Sequence, residues 1–107
     1  MTRIDDEVFE FPTGLMLPPV HPGETIADEL RARGLTAHRA ALKMRIPPGR
    51  LGQIIAARRA ISADTALRLG HLFGTGAQFW MNLQSQYDLA IAERDHGADI
   101  AAQVEAA

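Results

Sequence analysis

Eight of the eleven lysine and arginine side chains lie between residues 30 and 62: Arg31, Arg33, Arg39, Lys43, Arg45, Arg50, Arg58 and Arg59. The same stretch contains no Asp or Glu, while the segments on either side of it are acidic. A formal net charge of −2 therefore conceals a cationic centre between anionic flanks. Guanidinium and ammonium groups so concentrated can hold a row of phosphates, and such a distribution is the footprint of a nucleic-acid-binding protein. Spread evenly over helix surfaces, the same charges would only keep the chain in solution. On composition alone the two readings carry equal weight.

Other chemistries find no residues to work with. The four histidines, His21, His38, His71 and His96, are scattered, no His/Glu pair stands at i, i+4, and there is no cysteine. A metal centre is therefore not expected. Neither a nucleophile elbow nor a glycine cradle for phosphates is present, so no catalytic residue, cofactor or enzyme activity is expected. At 107 residues, 47% of them hydrophobic, the chain is long enough for one domain with a core of its own. No apolar run reaches the roughly eighteen residues of a membrane span. The first residues are acidic and lack the apolar stretch of a signal peptide. With no disulfide framework either, the chain reads as a soluble cytoplasmic protein.

Ala, Leu, Arg, Glu and Gln dominate, and these favour helices. Residues 1–21 carry Pro12, Gly14, Pro18 and Pro19 and read as an extended arm, with Phe9, Phe11, Leu15 and Leu17 at the alternate spacing of one short strand. His21-Pro22-Gly23-Glu24 opens a first helix with Ile26, Ala27 and Leu30 inward, and Gly34 ends it. Thr36 caps a second helix over 37–44, with Ala40, Ala41 and Met44 inward. Arg45-Ile46-Pro47-Pro48 breaks it, because a Pro–Pro pair cannot lie inside a helix. A third helix begins at Pro47 or Pro48, burying Leu51, Ile54 and Ile55 and turning Pro48, Gly49, Arg50 and Gln53 outward. Ser62 caps a fourth helix with Ala66, Leu69, Gly70 and Phe73 inward and Gly74 at its end. Thr75-Gly-Ala-Gln78 has the spacing of a capping box, opening a fifth helix over 76–94 along which Phe79, Trp80, Leu83, Tyr87 and Ile91 recur. The domain so defined spans 22–94, and the tail 95–107 is expected to fray.

Two short helices around a tight turn, with one helix before and two after, make an all-α arrangement. It resembles the five-helix, lambda-repressor-like helix-turn-helix domain of Cro/repressor (XRE) type. More specifically, the chain resembles the HigA (VapI-like) antitoxins of bacterial toxin–antitoxin modules. The residues that carry this are His21-Pro-Gly-Glu24, Pro47-Pro48 with Arg50-Leu51, Arg58-Arg-Ala-Ile-Ser62, Ala63-Asp-Thr-Ala-Leu-Arg-Leu69, Phe73-Gly-Thr75, Phe79-Trp80-Met-Asn-Leu-Gln84 and Tyr87-Asp-Leu89. Three departures stand out. Many relatives have Gly where this chain has Arg45, Asn-Gly where it has Ala56-Ala57, and Gln where it has Ala37.

The resemblance implies a repressor that binds a palindromic double-stranded DNA operator as a homodimer, with half-sites about one helical turn apart. It also implies a partner, a RelE/HigB-like mRNA-cleaving toxin. With the third helix in the major groove, Pro48, Gly49, Arg50 and Gln53 face the bases. Arg50 suits a guanine and Gln53 an adenine, whereas Pro48 and Gly49 supply only shape. Thr36, Arg39, Lys43, Arg45, Arg58 and Arg59 are placed to hold phosphates. Phe79, Trp80, Leu83 and Tyr87 are the candidate dimer seam. The acidic residues Asp5, Asp6, Glu7, Glu10, Glu24, Asp28 and Glu29 could meet a basic toxin electrostatically. A stand-alone transcriptional regulator, or a helical adaptor without DNA binding, would fit the same fold.

Overall fold

The computed structural model describes residues 18–107. The expected arm falls mostly outside them, as does the strand considered for it. Five helices follow one another: α1 (Pro22–Ala32), α2 (Ala37–Met44), α3 (Pro48–Ile55), α4 (Ala63–Phe73) and α5 (Ala77–Gln103). There is no strand among the described residues.

Local signals in the chain set most of the helix ends. The Nδ1 of His21 accepts from the Gly23 N–H at 2.9 Å and caps α1, and Pro22 fills the first turn, where no N–H is needed. Gly34, with φ +63°, ends the same helix in the left-handed conformation that glycine adopts without strain. The side-chain oxygens of Thr36 and Ser62 accept from the N–H three residues on, at Arg39 and Thr65, and so cap α2 and α4.

The core draws on every helix. Ile26 and Leu30 of α1 meet Ala40, Ala41 and Met44 of α2, Leu51 and Ile54 of α3, Ala66, Leu69 and Phe73 of α4, and Trp80 of α5. Each large aliphatic side chain closed off in this way contributes about 1.5–3 kcal/mol. The approach of α1 to α3 needs a residue without a side chain. A Cβ on Gly23 would lie 2.1 Å from the Ile54 carbonyl oxygen.

Two expectations about α5 are corrected. Thr75 and Gln78 do not form a capping box. The Thr75 hydroxyl instead accepts from the Trp80 indole N–H at 2.8 Å, Gln78 pairs with Asn82, and Gly76 occupies the cap position with no side-chain bond. Satisfying a buried indole outweighs one helix-end donor. Nor does the tail fray after residue 94. The helix runs on to Gln103, for 27 residues or about 40 Å. His96-Gly97 alone does not break it, because Ala92, Ala98, Ala101 and Ala102 extend an already nucleated helix at little cost.

Candidate nucleic-acid interface

The chain path at the α2–α3 junction is tight. Arg45 turns it with φ 60° and ψ 44°, its N–H bonded to carbonyls of the last turn of α2. Ile46 enters the core, and Pro47 precedes the first turn of α3. Pro47 offers no side-chain cap and Pro48 has no N–H, so the Gly49 N–H is left open at the tip of the helix, the arrangement that attracts a phosphate oxygen. The other end of α3 leaves through Ala57, with φ 64°. Arg45 and Ala57, at two of the three departures noted above, are thus the two non-glycine residues with positive φ among those described.

Leu51 and Ile54 anchor α3 in the core, with Ile55 half-buried beside them. On the opposite face Pro48, Gly49 and Gln53 are exposed and Arg50 partly so. Arg39, Lys43, Arg45, Arg58 and Arg59 are exposed around them. The ion pairs among the described residues join Arg31 to Asp28, Arg33 to Glu29, Arg68 to Asp64 and Arg94 to Asp95. Two of the eight cations of the basic stretch are thereby neutralised on α1. Arg39, Lys43, Arg45, Arg50, Arg58 and Arg59 keep no carboxylate partner among the described residues, and all six belong to α2, α3 or their loops.

Arg50 and Arg59 line one shallow cleft with Ser62 and Thr65 at the start of α4. Thr36 belongs to the capping of α2, and its hydroxyl hydrogen remains available outward. The expected seam splits. Trp80 is wholly enclosed in the protomer's own core, packed against Phe73 and Phe79, and has no surface to give a partner. Phe79 is 43% exposed. Leu83 and Tyr87 are half-buried and share a shallow apolar groove with Val20 and Ala90. Of the acidic residues expected to face a toxin, Asp28 and Glu29 are taken up by Arg31 and Arg33, and Asp5, Asp6, Glu7 and Glu10 fall outside the described residues.

Three residues that hold the site in place escaped the sequence reading of roles. Gln84, buried, accepts from the Ile61 N–H at 2.7 Å and donates to Asp88 at 2.9 Å, tying the α3–α4 loop to α5. His21 packs edge-on against Tyr87, with ring centroids 4.8 Å apart, and burial lowers its pKa although Asp88, Glu24 and a backbone hydrogen bond at Arg59 pull upward. Arg68 bonds both Asp64 and the Met44 carbonyl. Gln84 and Arg68 sit inside helices of ordinary periodicity and His21 just before one, and no local pattern names their distant partners.

A bihelical unit wedged on a three-helix support, with its exposed face cationic and its buried face apolar, defines a helix-turn-helix protein. The chain is 46% identical over 80 residues to virulence-associated protein I of Dichelobacter nodosus, a match covering 74% of each chain. An addiction module antidote protein of the HigA family from Coxiella burnetii is 40% identical, with a TM-score of 0.81 over 85% of this chain and 100% of that one. The Pseudomonas aeruginosa antitoxin HigA, solved with the higBA promoter, is 42% identical, with a TM-score of 0.79 over 81% and 96%. The chain belongs to this family of HigA-type helix-turn-helix antitoxins, whose members are regulators and not enzymes. No family model matches it. No helix among the described residues is long and apolar enough to cross a membrane.

Proposed function

We propose that this protein is the antitoxin of a type II toxin–antitoxin module. It binds a palindromic operator as a homodimer, represses its own operon and neutralises a HigB/RelE-like mRNA-cleaving toxin. The observation that carries the DNA-binding half is the group of six cations, without carboxylate partners among the described residues, around the exposed face of α3, on a fold shared with a relative solved together with promoter DNA. Arg50 and Gln53 read base edges. The Gly49 N–H, Thr36, Arg39, Lys43, Arg45, Arg58 and Arg59 hold the backbone on either side. Phe79, Leu83 and Tyr87 form the seam between protomers.

In vitro selection of duplexes on the purified protein tests the operator reading, with enrichment of a two-fold symmetric sequence as the expected outcome. Enrichment of no sequence sinks it. The toxin reading is tested separately by co-expressing the adjacent reading frame. Growth arrest by that frame alone, relieved and accompanied by co-purification when this chain is present, is expected. A stand-alone regulator is the second reading, favoured by 29% identity over 73 residues to the uncharacterized HTH-type transcriptional regulator YddM of Escherichia coli. A neighbouring frame that neither arrests growth nor co-purifies selects it.

A further inference from the structure

The motif Ala63-Asp-Thr-Ala-Leu-Arg-Leu69 carries an Asp64–Arg68 pair at i, i+4. Such a pair on an exposed helix usually contributes little. Here Arg68 does something more. Its Nε donates to the Asp64 carboxylate at 2.7 Å, and a terminal nitrogen of the same guanidinium crosses to the Met44 carbonyl at 2.9 Å. Met44 is the last residue of α2, and its carbonyl is one of those that no intrahelical N–H can reach. The next residue is Arg45 in its left-handed turn, and three residues further α3 begins. One planar fork thus spans from the first turn of α4 to the hinge between α2 and α3. A guanidinium holds such a two-pronged link in one rigid plane, a geometry that a point-like ammonium lacks.

We propose that Arg68, oriented by Asp64, is a positioning residue for operator reading. It fixes the α2–α3 turn on α4 and thereby the attitude at which α3 presents Arg50 and Gln53 to base edges. The Asp64 carboxyl is held below the usual carboxylate range, first by its hydrogen bond to Arg68 and next by that residue's charge, consistent with a pair that persists in solution. Because Arg68 and Asp64 are both partly exposed, their effect is on precision of docking more than on folding. The inference rests on the operator reading above.

The test compares Asp64→Ala, Arg68→Lys and wild type on the duplex selected by the wild-type protein and on a scrambled duplex of the same length. It is run where each variant is fully folded by fluorescence. Simple electrostatics predicts that Asp64→Ala, having lost a negative charge, binds all DNA more tightly. The positioning role predicts the opposite for the selected duplex. Its affinity falls by about tenfold in both variants, while binding to the scrambled duplex holds or rises, so the ratio between the two collapses. An unchanged ratio in both variants overturns the proposal. A wild-type protein that selects no sequence overturns the operator reading itself, and this inference with it.

Discussion

Arg50 is the residue on which base preference should turn. It is the one arginine on the outward face of α3, partly exposed and with no carboxylate partner among the described residues. Arg50→Ala is expected to weaken operator binding by about 1–3 kcal/mol and to relax discrimination at one base position of each half-site. Anisotropy titrations on single-base variants of the operator would check it. Arg45 and Ala57 raise a different matter. Both have positive φ, and a Cβ in the left-handed region costs about 1–2 kcal/mol. Ala57→Gly should accordingly stabilise the fold by roughly 0.5–1 kcal/mol, less than the full strain because glycine also loosens the unfolded chain. A higher urea midpoint at constant slope is the expected result. Here the sequence was informative, since residues out of keeping with a turn mark where the turn is. The roles of Arg68 and Gln84 were not legible for a converse reason. Their partners, Met44 and Ile61, are more than twenty positions away, and no local pattern encodes such a pairing.

At the scale of elements, the helices and their inward stripes follow from periodicity and capping residues, whereas the two ends of α5 do not. Its start is decided by the buried indole of Trp80 and its finish by the absence of any breaker stronger than Gly97. The start of α1 makes a pH-dependent prediction. His21 caps that helix through a lone pair on Nδ1, which only the neutral ring with its proton on Nε2 offers. Burial lowers its pKa from an ordinary value of 6.5. The unfolded chain therefore takes up its proton before the folded one. The stability contributed by His21 is complete above about pH 6.5 and is lost as pH falls through the lowered folded value. Urea denaturation at stepped pH should show this loss, and His21→Asn, which keeps a capping oxygen without titrating, should flatten that portion of the curve. The seam proposed on α5 has its own test. Phe79→Glu places a charge on the exposed aromatic of α5 and should shift the sedimentation coefficient from dimer to monomer, leaving helix content unchanged.

For the molecule as a whole, polarity is the organising feature. The six cations without carboxylate partners among the described residues sit on α2, α3 and their loops, while α5 beyond Tyr87 carries Asp88, Glu93, Asp95 and Asp99 against Arg94 alone. The salt dependence of operator binding should reflect the first group. If all six contact phosphates, the logarithm of affinity falls with that of salt at a slope of about −5 per protomer, and fewer contacts give a shallower line. A flat response would instead indicate a protein that does not use this face for nucleic acid. Charge asymmetry of this kind was visible in the raw sequence. Which cations lack a carboxylate partner among the described residues was not, because Arg31 and Arg33 are paired only once α1 brings Asp28 and Glu29 alongside. One further property follows from where Trp80 sits. It is the only tryptophan in the chain, fully buried against Phe73 and Phe79 and fixed by its bond to Thr75. Its emission is an internal optical gauge that shifts when the domain opens, so unfolding can be read from the unlabelled protein.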